Sequence, residues 1–282
     1  MYWSWAGLLT ARASTLAAML ENRVKRIVRE GGLALGTYTG TLASVGVVEL
    51  IAQAGFDAAF IDMEHVALDF GHVQTLLLAC EGAGITALVR TPGFEPGVIL
   101  RLLDMGVPAI QVPHIADAAA AREAVKTVRY PPLGERGLMA TSRAAAYGRI
   151  PLEQHMQRAN EEVLLAVMVE DLAAVEQVEA IAATPGVDLV AVGPSDLSRA
   201  LGLTGQPEHP RLAESIERIA RAVQASGNAR LSLPLEHPAF PRGAAELRAL
   251  GVGYTNCGPP LEVRLLRSLG EQTARVRAAR AA

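Results

Sequence analysis

The chain has 282 residues, 50% hydrophobic and 20% charged, with a formal net charge of −3. That size and balance suit one large globular domain or two small ones, and a single α/β barrel of roughly 250 residues fits. The 26 basic residues are scattered rather than run together, so no broad cationic face for nucleic acid is expected, and no stretch offers the run of apolar residues a membrane span needs.

The first 18 residues, MYWSWAGLLTARASTLAA, are apolar but lack a preceding Lys or Arg and are interrupted by Arg12, which argues against an export signal. A charged helical pattern begins at Met19 (MLENRVKRIVREGG). Residues 1–18 are therefore expected to be a poorly ordered extension or a misassigned start, and 19–282 a single barrel domain. Cys80 and Cys257 stand far apart without metal-type spacing, which suits a reducing cytoplasm better than a disulfide scaffold.

From there, short apolar runs alternate with helical periodicity. The predicted strands are LALGTY (33–38), AAFIDME (58–64), TALVRTP (86–92), AIQVPH (109–114), LLAVMVE (164–170), DLVAVGP (188–194), RLSLPL (230–235) and YTNCG (254–258), the last two carrying the weakest signal. Most of the intervening helical segments close on a glycine, as a C-cap requires. Eight such units close into a parallel (β/α)8 barrel. Residues 131–162, beginning PPLGERGLMATSRAAAYG, are too long for a simple connection and suggest a functional excursion or an interface element. The GERG piece follows no strand and lacks a phosphate-loop lysine, so it carries no nucleotide reading.

In such barrels chemistry sits where strands end and βα loops converge. Strand 2 ends in Asp62, Glu64 and His65, strand 3 in Arg90, strand 4 in His114, strand 5 in Glu170 and Asp171, and strand 6 in Gly193, Pro194, Ser195 and Asp196. Singly, each has a plain explanation: Asp171 and Asp196 as helix N-caps, His114 and His72 as loop residues, His155, His209 and His237 as structural residues of polar or Pro-rich loops. Five consecutive strands ending in complementary ionisable groups are hard to produce by capping alone. Alternation along strand 2 puts Asp62 and Glu64 on one face toward the barrel axis, with His65 on the loop above.

Glu170 and Asp196, from adjacent strands, offer hard oxygen donors for one divalent cation, Mg, Mn or Co rather than structural zinc. Backbone amides at Gly193, Ser195 and Asp196 suit a ligand carboxylate and Arg90 a keto or enolate oxygen, which together describe a 2-oxo acid. The chain's only lysines, Lys25 and Lys126, lie at no strand end, so Schiff-base chemistry is not expected. A metal would stabilise a carbanion instead, with His65 oriented by Asp62 as the base. No GxSxG elbow supports a serine hydrolase.

Taken in order, LGTY, GFDAAFIDMEH, LVRTP, LLDMGVPAIQVPH, RYPPLGERG, VMVED and VGPSDLS resemble the HpcH/HpaI family of metal-dependent class II pyruvate aldolases, over roughly residues 19–270. The resemblance implies a modified (β/α)8 barrel, commonly a hexamer in which a C-terminal helix packs on a neighbouring subunit. It makes Glu170 and Asp196 the metal ligands, Arg90 the contact to the pyruvyl oxygen and His65 with Asp62 the acid/base dyad. The Gly193–Ser195 backbone, Pro194 included, would surround the pyruvate carboxylate, and Asp104 would reach an active site across a subunit interface. Two departures stand out: Met168 where some members carry glutamine, and the segment YTNCGPPLEVRLL, with Asn256, Cys257 and two prolines. The reaction expected is cleavage of a 4-hydroxy-2-oxo acid to pyruvate and an aldehyde. An acyl-CoA lyase or condensing enzyme on a related barrel and a non-catalytic 2-oxo-acid-binding barrel are the alternatives.

Overall fold

The computed structural model describes residues 22–281, so the expectation for residues 1–18 lies outside the described residues. A short helix α1 (Arg23–Arg29) precedes β1 (Ala34–Tyr38), α2 (Val45–Gln53), β2 (Ala58–Asp62), α3 (Phe70–Ala83), β3 (Thr86–Arg90), α4 (Pro96–Met105), β4 (Ala109–Val112) and α5 (Ala118–Val128). Then follow α6 (Leu152–Glu162), β5 (Leu164–Val169), α7 (Leu172–Glu176), α8 (Val178–Ala182), β6 (Leu189–Val192), α9 (Pro194–Ala200), α10 (Pro210–Ser226), β7 (Arg230–Ser232), α11 (Ala244–Ala249), β8 (Val252–Asn256) and α12 (Leu261–Ala281). The eight strands form a closed parallel barrel in chain order, β8 pairing back onto β1 through Ala34 and Tyr254. Each expected strand is present. Among the described residues, no helix is long and apolar enough to cross a membrane.

The caps explain where the helices start and stop. Asp69, Asp117 and Asp171 each accept a backbone N–H three residues on, opening α3, α5 and α7, and Gly84, Gly106 and Gly227 close α3, α4 and α10 in the left-handed conformation. Asp171 is thus the N-cap its plain reading proposed. The barrel interior mixes small and large residues so that they interlock: Ala34, Ala58, Ala109 and Ala166 make room for Phe60 and Tyr254. Gly36 is required here, because a Cβ would lie 2.0 Å from the Tyr254 hydroxyl.

Val24 and Val28 of α1 join that same interior cluster, closing the barrel at the N-terminal ends of its strands. Around this plug five charges are paired. Lys25 Nζ reaches Asp188 Oδ1 at 2.8 Å and donates to the Val163 carbonyl at 2.7 Å, Arg129 Nη2 donates to Asp188 Oδ2 at 2.7 Å, and Arg23 Nε to Asp57 Oδ1 at 2.8 Å. Burial pulls the Lys25 ammonium down to about 8. Lys126 pairs with Glu123 on an exposed helix face, so both lysines are away from the strands' C-terminal ends.

Topology sets where the long excursion lies. It follows a helix rather than a strand, so it runs over the N-terminal face of the barrel, where Arg143 clamps Glu81 and the Met105 carbonyl and Arg136 pairs with Asp104 at 3.1 Å. Leu133, Leu138, Met139 and Tyr147 leave it exposed and apolar. Helix α12 packs on the turn Gly40–Leu42 and extends outward with Val263, Leu265, Leu266, Leu269 and Val276 exposed.

Candidate active site

At the opposite end, the strands deliver their charged residues into one mouth. Strand β2 stops at Asp62, two residues earlier than expected, because the Asp62 carboxylate accepts the N–H groups of Glu64 (3.0 Å) and His65 (3.4 Å) and turns the chain. Arg90, one strand over and directly opposite Asp62 in register, forks onto the same carboxylate, Nε to Oδ1 at 2.9 Å and Nη2 to Oδ2 at 2.6 Å. Its third nitrogen, Nη1, lies 3.0 Å from Glu64 Oε2, an ionic contact that leaves this buried oxygen without a hydrogen bond.

This overturns one expected contact. Asp62 holds the His65 main chain and not its ring; the imidazole is exposed and its nearest carboxylate is Glu64, 3.8 Å from Nε2. A two-pronged buried pair with a guanidinium is stronger and more directional than a single bond to an exposed imidazole, so Arg90 takes the aspartate.

Glu170, only 2% exposed, accepts the His114 N–H at 2.8 Å on Oε1, and the His114 ring bridges it to Glu64 with 3.0 Å contacts on both sides. His114 takes this pose in the left-handed region, φ 57°, a strained conformation for a non-glycine residue. Burial pushes the Glu170 carboxyl above its ordinary value against the pull of the His114 N–H and ring, and the charges of Glu64 and Asp196 push it further up. Its Oε2 faces Gly193, where a Cβ would stand 2.6 Å away, so only glycine lets the β6 backbone approach this carboxylate. Asp196 lies in the first turn of α9 while Gly193 caps it; Oδ1 accepts from Arg199 at 3.2 Å, and the N-cap reading of Asp196 fails.

Asp62, Glu64, Glu170 and Asp196 thus crowd one mouth against buried Arg90 and exposed Arg199. Oxygen donors in anionic excess fit a hard divalent cation, and Glu170 and Asp196 are the residues that would hold one. Among the described residues no three His, Cys, Asp or Glu groups form a ready-made metal cluster.

Beneath them is a cavity of about 170 Å³ bounded by Arg90, His65, Gly193, Pro194, Ser195 and Asp196. Its wall includes two residues that the sequence did not single out and one, His237, that it read as structural, a reading the cavity corrects. Tyr38 comes from β1, Gln111 from β4 and His237 from the loop after β7. Gln111 donates its amide N–H to the Met168 sulfur at 2.9 Å, so β4 supplies an amide beside the methionine. A polar side chain in the otherwise apolar run AIQV was the available signal. His72, His155 and His209 are the structural residues expected, pairing with Asp69, stacking edge-on to Tyr130 and capping α10. Asp104 belongs to the other end of the barrel and does not reach this chain's own mouth.

Comparison with known proteins agrees with this architecture. Residues 41–257 match the HpcH/HpaI aldolase/citrate lyase family. A pyruvate aldolase of Rhizobium etli is 34% identical over 254 residues, 90% of this chain and 96% of that one. The crystal structure of an HpcH/HpaI aldolase/citrate lyase family protein from Burkholderia cenocepacia superposes with a TM-score of 0.81 at 33% identity, covering 91% of this chain and 99% of that one. The citrate synthase SbnG gives 0.80 at 28% identity, covering 92% and 98%. Since the match runs from the turn after β1 to the end of β8, the chain belongs to the HpcH/HpaI aldolase/citrate lyase family and is a carbon–carbon lyase.

Proposed function

We propose that the protein is a divalent-metal-dependent aldolase that cleaves a 4-hydroxy-2-oxo acid to pyruvate and an aldehyde and runs the addition in reverse. The observation that carries this reading is the carboxylate excess at the mouth, with Asp196 lining the cavity, Glu170 behind its Gly193 wall and both lysines elsewhere. A divalent cation held there by Glu170 and Asp196 would supply Lewis-acid chemistry to a bound 2-oxo acid. Arg90, fixed by its fork onto Asp62, presents its remaining N–H surface to the 2-oxo oxygen. The Gly193–Ser195 backbone surrounds the substrate carboxylate, using N–H groups of a helix first turn that no preceding carbonyl satisfies. His65 takes the proton of the C4 hydroxyl in cleavage and returns it in addition, with Glu64 as the carboxylate beside its ring and Asp62 positioning its main chain.

The exposed apolar faces of α12 and of the excursion support a homo-oligomer, a hexamer in the arrangement the family resemblance implies, and only from a neighbouring copy would Asp104 come to an active site. Free thiols at Cys80 and Cys257 support a reducing compartment, the cytoplasm. The likeness to a citrate synthase favours a second reading, in which the same site belongs to an acyl-CoA carbon–carbon lyase or condensing enzyme. Both readings share the enolate. Pyruvate methyl-proton exchange followed by NMR is expected with Mg, Mn or Co and is expected to stop with EDTA; absence of exchange under every metal would refute the aldolase. A cleavage assay on 4-hydroxy-2-oxo acids then separates cleavage from condensation. Borohydride with pyruvate is expected to leave no lysine adduct.

A further inference from the structure

Two cavities meet at the mouth. The smaller, of about 170 Å³, is the one bounded by Arg90 and Gly193. A larger one, about 440 Å³, runs outward past Arg199, Thr204 and Gln206. Ser195, Asp196 and His237 line both and form the wall between them. Pockets for ligands of any length occupy roughly 300 Å³ or more, so the smaller space suits a three-carbon acid and the larger suits whatever is joined to it. A third depression, beside His65, shares only that residue with the small cavity, and its other histidine, His72, is held by Asp69 at 2.9 Å.

His237 is held in place by its own loop. Phe240 is buried and its N–H closes onto the His237 carbonyl at 2.8 Å, while the Glu236 N–H bonds the Arg242 carbonyl at 3.0 Å. Glu236, just before the histidine, sits at φ 49°, left-handed for a non-glycine residue, as His114 does across the mouth. The Ala239 N–H donates to His237 Nδ1 at 3.1 Å. A backbone N–H only donates, so Nδ1 is the bare nitrogen and the hydrogen of the neutral ring is on Nε2. That Nε2 points to the shared wall, 3.4 Å from Ser195 Oγ, too long for a strong bond. Burial holds the imidazole pKa below its ordinary value, which keeps the ring neutral.

We propose that His237 is a specificity-determining residue for the aldehyde: it donates Nε2–H to an oxygen on the chain beyond the carbonyl and so selects acceptors that carry hydroxyl or carboxylate groups along the larger cavity. This rests on the aldolase reading. Arg199 adds a cation on the same side, its Nε and Nη2 on Asp196 at 3.3 and 3.2 Å.

The test is pyruvate addition to glyceraldehyde and to propionaldehyde, equal in length but without hydroxyls, by wild type, His237→Phe, His237→Ala and His237→Gln. The ratio of kcat/KM for the two aldehydes is expected to fall about tenfold in the Phe and Ala variants, chiefly through the glyceraldehyde KM, as loss of one neutral hydrogen bond predicts. It returns to within about threefold of wild type in the Gln variant, whose amide donates from a similar position. An unchanged ratio in the Phe and Ala variants, or an equal fall in the Gln variant, overturns the proposal. Pyruvate exchange by wild type without aldehyde separates the two failures: exchange with an unchanged ratio refutes the role of His237 alone, and no exchange refutes the aldolase reading and this inference with it.

Discussion

The two ends of the barrel use the same residue types to opposite ends. At the N-terminal end, Lys25, Arg23 and Arg129 meet Asp57 and Asp188, and the two aspartates also accept the Leu35 and Leu165 N–H groups that open β1 and β5. Each of these five charges has an opposite neighbour and the cluster ties strands together. At the C-terminal end, Asp62 and Glu64 share one buried guanidinium, while Glu170 has the exposed ring of His114 and Asp196 the exposed Arg199 as partners. Buried charge is a stability device where it balances and a binding device where it does not.

The sharpest way to break this comparison is to remove one carboxylate from each end. Glu170→Ala or Asp196→Ala is expected to lower metal-dependent turnover by roughly a thousandfold or more, several kcal/mol of lost charge stabilisation, with the melting temperature unchanged or raised. Steady-state kinetics beside a thermal melt reads both. Asp188→Ala does the reverse. It strands the buried Lys25 and Arg129 charges, costing about 3–5 kcal/mol and lowering the melting temperature by roughly 10 °C, while turnover per folded molecule persists. Equal loss of turnover in Asp188→Ala and Glu170→Ala would erase the distinction.

A smaller effect is read from pH. The Lys25 ammonium titrates at about 8 when folded, against an ordinary value of 10.5. The unfolded chain therefore binds more protons between those values, and stability contributed at this site rises with pH across that window. Denaturant titrations are expected to show wild type gaining roughly 2 kcal/mol on Lys25→Met between pH 8 and 10; a constant difference would contradict it. Least in size is the behaviour of Cys80, pushed up to about 12 by burial. At pH 8 native protein is expected to leave it unlabelled by iodoacetamide and urea to expose it, read by peptide mass spectrometry.

Much of this was legible in the sequence because strands and strand ends are local signals. FIDMEH passes from apolar to ionisable within six residues, and VGPSDLS and VMVED do likewise, so the eight strands and the mouth carboxylates could be named in advance. What escaped depends on distance. Asp62 pairs with Arg90, 28 positions on, and nothing near His65 announces that the aspartate is already engaged. Tyr38 and Gln111 sit among apolar strand residues, and His237 is a lone histidine between prolines whose aim is set by how the chain leaves β7, a three-residue strand with a register irregularity. For the excursion after α5, expected to be functional or an interface element, only topology sets its side: an αβ connection lies on the face away from this chain's own mouth.

The central claim, that the unbalanced end of the barrel is a cation site and the balanced end is not, is tested most directly by Mn²⁺ binding followed by electron paramagnetic resonance on wild type, Glu170→Gln, Asp196→Asn and Asp188→Asn. One tightly bound Mn²⁺ per chain is expected in wild type and Asp188→Asn and lost in the other two. Retention of that ion in Glu170→Gln and Asp196→Asn would contradict the account.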